Sequence, residues 1–399
     1  MTAMRPAGTL QGIILVAQAV LPTMGAVLLV PVLPLLFREY GGIAHADYWI
    51  PALLTVPGLC IAMLSPLFGM LTDRIGRRPV LTVALLFYGL AGIAPIFLTS
   101  FAAVFASRVV LGICDAAVIV VSATMIGDYF EGIARAKWLA LISTVASLSA
   151  AVFLGLAGVL GEAFGWRGAV IVYAASLLFV PAMIFFIWEP QADTHAVEAA
   201  PVGRSLRAHL WLTGACTFFG AVLFYTLVLQ QGLGLAALGT LEPGRIGLLT
   251  AIASLGNPIA TLVFRRLTRV PTTILLGLAF AAIGAGLVAI GWVRTDTAFA
   301  ASAFVGLFGA GLLMPTLLTW TMKALPFAAR GRGTAVFQSM FSLGQFGSSL
   351  SLPFLTAHLT GNILSSFATL GAMALIGAIL AGGLRLSRSD RGALEEKRV

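Results

Sequence analysis

Apolar residues along this chain fall in long unbroken runs, and the polar stretches between them are short and mostly basic. The runs occupy residues 11–37, 47–71, 79–99, 102–127, 138–160, 167–188, 208–231, 243–264, 271–292, 298–322, 333–357 and 361–384. A helix needs about 20 mainly apolar residues to cross the hydrocarbon core of a bilayer, so the pattern predicts twelve transmembrane helices. The period-two alternation of a membrane β-barrel is missing. The first run reaches position 37, too long for a signal-peptide core, so Ala17-Gln18-Ala19 reads as part of an uncleaved first span rather than a cleavage site.

Composition agrees. Of 399 residues, 59% are apolar and 10% charged, with a mean hydropathy of +1.02. Soluble domains are roughly 45–50% apolar and about 25% charged, so a water-soluble core, disorder and collagen are all excluded. The net charge of +9 does not mark a nucleic-acid surface, because the basic residues form no solvated face. With both termini cytoplasmic, 19 Lys and Arg fall on the inner side and four on the outer, which the positive-inside rule requires. The seven tryptophans all sit near span ends, as interfacial anchors do. Cys60, Cys114 and Cys216 are far apart inside apolar runs, with neither disulfide nor zinc spacing. No cofactor or metal is implied.

The longest polar interruption, 189–206, splits the spans six and six: residues 1–188 as one bundle, 207–399 as a second with a basic tail, and a cytoplasmic linker between. The halves repeat. A shift of 192 places Arg74 on Arg266, Arg77 on Arg269 and Pro79 on Pro271; a shift of 195 places Arg135 on Arg330 and Lys137 on Arg332. Such internal duplication marks transporter folds in which two bundles rock about a central site.

The turn after span two reads Gly69-Met70-Leu71-Thr72-Asp73-Arg74-Ile75-Gly76-Arg77-Arg78-Pro79-Val80-Leu81. It resembles the loop 2–3 signature of the major facilitator superfamily. Arg108 with Gly112 in span four, and Gly165-Trp166-Arg167 opening span six, resemble further motifs of that family. The resemblance covers the whole chain and implies an all-α fold of twelve helices in two pseudo-repeated bundles. It also implies a conformational latch made by Gly69, Asp73, Arg74, Gly76, Arg77, Arg78 and Asp128. In it Asp73 meets the positive N-terminal end of span eleven near Gly333 when the cytoplasmic side is closed, and Arg77 pairs with Asp128. Positive-inside topology alone accounts for the arginines but not for Asp73 or the glycines. In the second half Arg265 stands where Asp73 would be, so the latch is one-sided.

Arg108 and Asp115 are the only ionisable residues deep in a span. A charge at bilayer depth costs at least about 2.5–3.5 kcal/mol, so such residues are functional candidates. Seven residues apart, they share a face of span four about 10 Å apart along the axis, with Ser122 further along it. By the resemblance spans one, four, seven and ten line the central cavity, so this stripe is expected to face substrate. Burial and a nearby guanidinium act on a carboxyl in opposite senses, so an Asp115 that meets Arg108 in only one conformation would carry a proton through the cycle. The alternative is a permanent structural pair. Gln338, Ser342, Gln345 and Ser349 form a second polar face, on span eleven, which helix-to-helix hydrogen bonding explains equally well. The substrate-binding candidates are Gln18, Ser122, Phe219, Tyr225, Thr316, Trp320, Gln338 and Gln345.

Exporters of this superfamily carry a Gly-Pro motif in span five, where this chain has Phe153-Leu154 and retains only Gly158. Pro31-Val32-Leu33-Pro34 in span one resembles the drug/proton antiporter branch. The cavity candidates include one acid and no sugar-binding cluster, which favours an apolar or amphipathic organic substrate. The expectation is proton antiport with efflux by a monomer in a bacterial inner membrane; the alternatives are proton-coupled uptake and a non-transporting receptor. An enzyme is not expected, because no His-Glu-x-x-His or Gly-x-Ser-x-Gly is present and all four histidines lie in loops or near span ends.

Overall fold

The computed structural model describes residues 7–189, 204–267, 269–323, 325–326 and 330–383. Arg5, nearly all of the linker and the basic tail lie outside them. All regular structure among the described residues is helical: α1 (Thr9–Gln18), α2 (Leu21–Val27), α3 (Leu33–Tyr40), α4 (Ala46–Ile75), α5 (Arg77–Ile93), α6 (Phe101–Tyr129), α7 (Gly132–Val170), α8 (Phe179–Phe186), α9 (Arg204–Leu229), α10 (Gln231–Ala237), α11 (Pro243–Ser254), α12 (Gly256–Phe264), α13 (Thr272–Ile290), α14 (Asp296–Lys323), α15 (Arg330–Leu355) and α16 (Ile363–Gly383).

Ten helical stretches among the described residues are long and apolar enough to cross a membrane. One of them, Gly132–Phe186, runs for 55 residues but is broken at Gly165, whose φ of +71° and ψ of −176° reverse the chain between spans five and six. α15 is not among the ten. Its 26 residues are long enough, but Gln338, Ser342, Gln345 and the serines near them lower its hydropathy.

Several predicted continuous spans are broken. Span one is three pieces, α1, α2 and α3, because Pro22, Pro31 and Pro34 each remove a backbone donor. Span seven breaks at Gln230 into α9 and α10, and span eight breaks at Leu255 into α11 and α12, just before Pro258. Broken backbone at membrane depth is tolerated only where protein or a cavity surrounds it.

Helices before residue 189 pack chiefly on one another, as do those after 204. The two sets meet along α4 with α15 and α7 with α11. Both seams are tight away from the basic turns. Thr55 Oγ1 donates to Ser349 Oγ at 2.7 Å, Gln345 packs on Gly58, and Gly158 lies so close to Gly247 that a methyl at either would stand 2.7–2.8 Å from the other's Cα. The α4 face holding Thr55 and Gly58 continues to Gly69, which has nothing within 4 Å of where a Cβ would lie, and to Asp73, which is exposed. The sets are therefore joined at the outer end and parted at the basic end.

Tryptophan placement divides. Trp211 and Trp292 are 76% and 79% exposed, as interfacial anchors are. Trp166 is buried and hydrogen-bonded to Glu39, and Trp188 stacks 5.1 Å from Tyr129, so both serve packing.

The backbone at Gly165 lies in a region essentially reserved for glycine. Gly165→Ala is expected to destabilise the protein by about 1–3 kcal/mol, read as a lowered thermal midpoint in detergent. Gly155→Ala, with space and an ordinary helical backbone, should leave the midpoint unchanged.

Candidate functional site

Arg108 and Asp115 are both fully buried on α6, two turns apart, and they do not pair. Arg108 turns instead toward span six. Its Nη1 donates to Tyr173 Oη at 3.0 Å, its Nη2 to the Gly92 carbonyl at 3.2 Å, and its guanidinium lies 4.8 Å from the Tyr173 ring centroid. Tyr173 Oη is also 3.4 Å from the carbonyls of Met24 and Gly25. Gly92 makes this possible, since any side chain there would collide with Tyr173. The structural Arg–Asp couple is therefore not formed in this conformation.

Both carboxyl oxygens of Asp115 are buried with no hydrogen-bond partner among the described residues. The nearby Tyr88 hydroxyl is committed to the Leu21 carbonyl at 2.6 Å. Gly25 on α2 lies against the carboxyl, and a methyl there would stand 2.8 Å from Oδ2. The stripe expected to face substrate thus points into the N-terminal set, against spans one and three. The bare carboxyl thus lies beside the broken first span.

At the basic face Arg77 Nη1 forms an ion pair with Asp128 Oδ2. Arg78 caps the end of span six, donating to the Ile184 carbonyl at 2.7 Å and to that of Met183 at 3.3 Å. Gly76 takes φ +99°, which lets α5 start abruptly. Arg74 and Asp73 are exposed, and Asp73 has no hydrogen bond or ion pair among the described residues. Sequence reasoning missed Glu189, whose two carboxylate oxygens accept the backbone N–H groups of Arg77 and Arg78 at 2.6 and 2.9 Å. A carboxylate on the first turn of a helix satisfies donors that have no partner within it. The available signal was an acid directly after the sixth apolar run.

The outer face holds a comparable cluster. Glu39 Oε2 accepts Trp166 Nε1 at 2.5 Å and Arg167 Nη1 at 2.9 Å, while Oε1 accepts Arg167 Nη2 at 2.8 Å. Arg167 Nη2 also donates to the Leu98 carbonyl. The hydrogen-bonded Arg167 holds the Glu39 carboxyl below its ordinary range.

The substrate candidates do not converge. Gln18 Nε2 donates to Ser122 Oγ at 3.4 Å, and Gln18 Oε1 is buried without a partner among the described residues. Tyr225 belongs to an aromatic group with Phe224 and Phe341 at 4.9 and 5.1 Å, extended by Phe337 stacked on Phe341. Gln338 Nε2 donates to Ser342 Oγ on the same helix, and Gln345 is buried against Gly58. Phe219 and Trp320 line a separate apolar cavity of about 400 Å³ among α9, α13, α14 and α16. Thr316 is committed to the Leu312 carbonyl at 2.6 Å and presents no free hydroxyl donor. Also missed were Gln230 and Gln231, at the break in span seven. Both are buried, and neither side-chain amide has a partner among the described residues. A glutamine doublet at the end of an apolar run was the signal available.

A twofold arrangement of helices around a parted seam, with a basic glycine turn closing span two, narrows the family. The sequence pattern of the Major Facilitator Superfamily matches residues 15–349. The chain belongs to the major facilitator superfamily. It is a multi-pass membrane protein of a family of transporters. This superfamily member is 28% identical over 218 residues to the class G tetracycline resistance protein of Vibrio anguillarum, covering 53% of each chain. It is 26% identical over 332 residues to the 3-(3-hydroxy-phenyl)propionate transporter of Escherichia coli (strain K12), covering 79% of this chain and 78% of that one. It spans about half the length, or less, of the first curated relatives it matches. Among solved structures, a bacterial homolog of the human lysosomal transporter Spinster, in an inward-facing and unoccupied conformation, superimposes with a TM-score of 0.76 at 15% identity, over 94% of this chain and 96% of that one.

Two outcomes follow from this geometry. Tyr173→Phe removes an acceptor from a buried guanidinium and should cost about 1–3 kcal/mol, again read from the thermal midpoint. The lowered Glu39 carboxyl contributes stability that is present above the ordinary carboxylate range and lost as pH falls through its lowered value. Thermal midpoints measured from neutral pH downward should therefore fall more steeply in the parent protein than in Glu39→Gln.

Proposed function

We propose that this transporter exports a small apolar or amphipathic organic molecule in exchange for protons, by alternating access, from a bacterial inner membrane. Its two six-helix bundles, residues 1–188 and 207–399, work as a monomer with both termini cytoplasmic, and its twelve crossings include α15. The observation that carries the reading is Asp115, a buried carboxyl left free by Arg108 and seated on the broken first span. Losing or gaining a proton there changes charge where α2 packs on α6, and so biases how span one sits against span four. Gln18, Ser122, Gln230 and Gln231 supply polar contacts for substrate, and the rings of Phe224, Tyr225, Phe337 and Phe341 supply apolar ones.

Efflux is supported by the tetracycline resistance relative and by Pro31-Val32-Leu33-Pro34 in span one. Uptake with protons is the second reading, favoured by Phe153-Leu154 in place of the exporter Gly-Pro.

Proteoliposomes with imposed pH gradients of either sign, loaded with labelled tetracycline or 3-(3-hydroxyphenyl)propionate, separate these. Antiport moves the probe against the proton flow, symport moves it with the flow, and Asp115→Asn should abolish the dependence on the gradient. Flux indifferent to the gradient and unchanged in Asp115→Asn would end the coupling proposal.

A further inference from the structure

The basic turn after span two has a counterpart on the opposite face. A shift of 89 residues carries Gly69 onto Gly158, Asp73 onto Glu162, Gly76 onto Gly165 and Arg78 onto Arg167. The backbone repeats with the residues, since Gly76 and Gly165 take φ of +99° and +71°. The partners repeat as well. Glu39, which binds Arg167, is carried onto Asp128, which binds Arg77. Arg78 caps carbonyls at the end of span six, and Arg167 caps the Leu98 carbonyl at the end of span three. In the second half the same shift carries Gly244 onto Gly333. Inverted three-span repeats nested within each half place one turn design on both faces of the membrane.

Glu162 closes the comparison. It lies at the outer end of span five, in the N-terminal set, and its carboxylate rests on Gly244 in the first turn of α11, in the C-terminal set. A methyl at Gly244 would overlap Oε2. The first N–H groups of a helix lack intrahelical acceptors and carry the positive end of its dipole, so a carboxylate is favourable there. The adjacent Arg245 is taken by Asp296, so Glu162 faces the helix end and not a neighbouring cation already in a pair. Directly below, Gly158 and Gly247 bring the two backbones into contact. On the basic face the equivalent acid, Asp73, is exposed without a partner among the described residues. Glu162 is itself exposed and makes no hydrogen bond or ion pair among the described residues; what separates it from Asp73 is the Gly244 backbone that lies against its carboxylate.

We propose that Glu162 is the outer latch of the transport cycle. Its carboxylate, seated on the N-terminal turn of α11 at Gly244, holds the outer face closed, and Asp73 with Gly333 forms the equivalent contact when the inner face closes. The two contacts alternate. The Glu162 Oε2 atom occupies the place that a side chain at residue 244 would take, so a methyl there would push the carboxylate off the helix end. The inference rests on the alternating-access reading, and its test is independent of flux.

Spin labels on Phe97→Cys and Trp292→Cys, both about 78–79% exposed at the outer ends of spans three and nine, report the outer separation by pulsed dipolar spectroscopy. The background replaces Cys60, Cys114 and Cys216. Glu162→Gln keeps the shape and removes the charge, and Gly244→Ala displaces the carboxylate; both should raise the long-distance, outer-open population several-fold. Asp47→Asn, another exposed acid on that face, should not. Because Gly244→Ala can disturb folding, a thermal midpoint accompanies each variant, and Glu162→Gln decides alone if Gly244→Ala unfolds. A distribution in Glu162→Gln matching the parent or Asp47→Asn overturns the proposal. Flux without any shift in distance ends the latch and leaves transport standing; a shift without flux does the reverse.

Discussion

Two close helix crossings near the outer face hold this molecule together: Gly158 on Gly247, and Gly58 under Gln345. Between helices in lipid there is little hydrophobic driving force, so association depends on backbones approaching closely and on hydrogen bonds between them. Small residues at these crossings permit both, and the Thr55–Ser349 hydrogen bond lies beside one of them. Both crossings lie away from the basic turns, where Gly69 has nothing within 4 Å of a Cβ position and Asp73 is exposed.

Within the N-terminal set a second constraint shapes the chemistry. Arg108 cannot be left bare at bilayer depth, and Tyr173 and the Gly92 carbonyl take its Nη1 and Nη2, while its Nε has no partner among the described residues. That arrangement consumes the arginine. Asp115 is thereby released from the pairing its spacing suggests, and its carboxyl has no hydrogen-bond partner among the described residues. Among the described residues the charged groups lie in loops and near span ends with these two exceptions, and the two have different surroundings.

The turns at the two faces show the same economy of design. A positive-φ glycine starts a helix abruptly, an arginine returns to cap the preceding span's neighbour, and a carboxylate closes the cluster. Asp128 and Glu39 fill that last place in the two copies, and Glu189 adds a further cap on the basic face.

Much of this was legible in the sequence. Unbroken apolar runs dictate membrane helices because backbone polar groups in lipid must be satisfied locally. The basic glycine turn was readable because its chemistry is packed into consecutive residues, and the Arg77–Asp128 pair followed from it. Partners set by three-dimensional packing were not readable. Spacing put Arg108 and Asp115 on one face, but whether they touch depends on Tyr173, 65 residues from Arg108. Phe219, Tyr225 and Trp320 looked alike as apolar aromatics, and only packing sent Tyr225 to the α15 seam and the others to a separate cavity. The sequence alone determined which segments are apolar enough to lie in the bilayer and on which side of them the basic residues gather, since those depend on composition along one dimension. The tertiary structure decided which buried polar groups are satisfied and which are left free, because that depends on side chains brought together from distant spans.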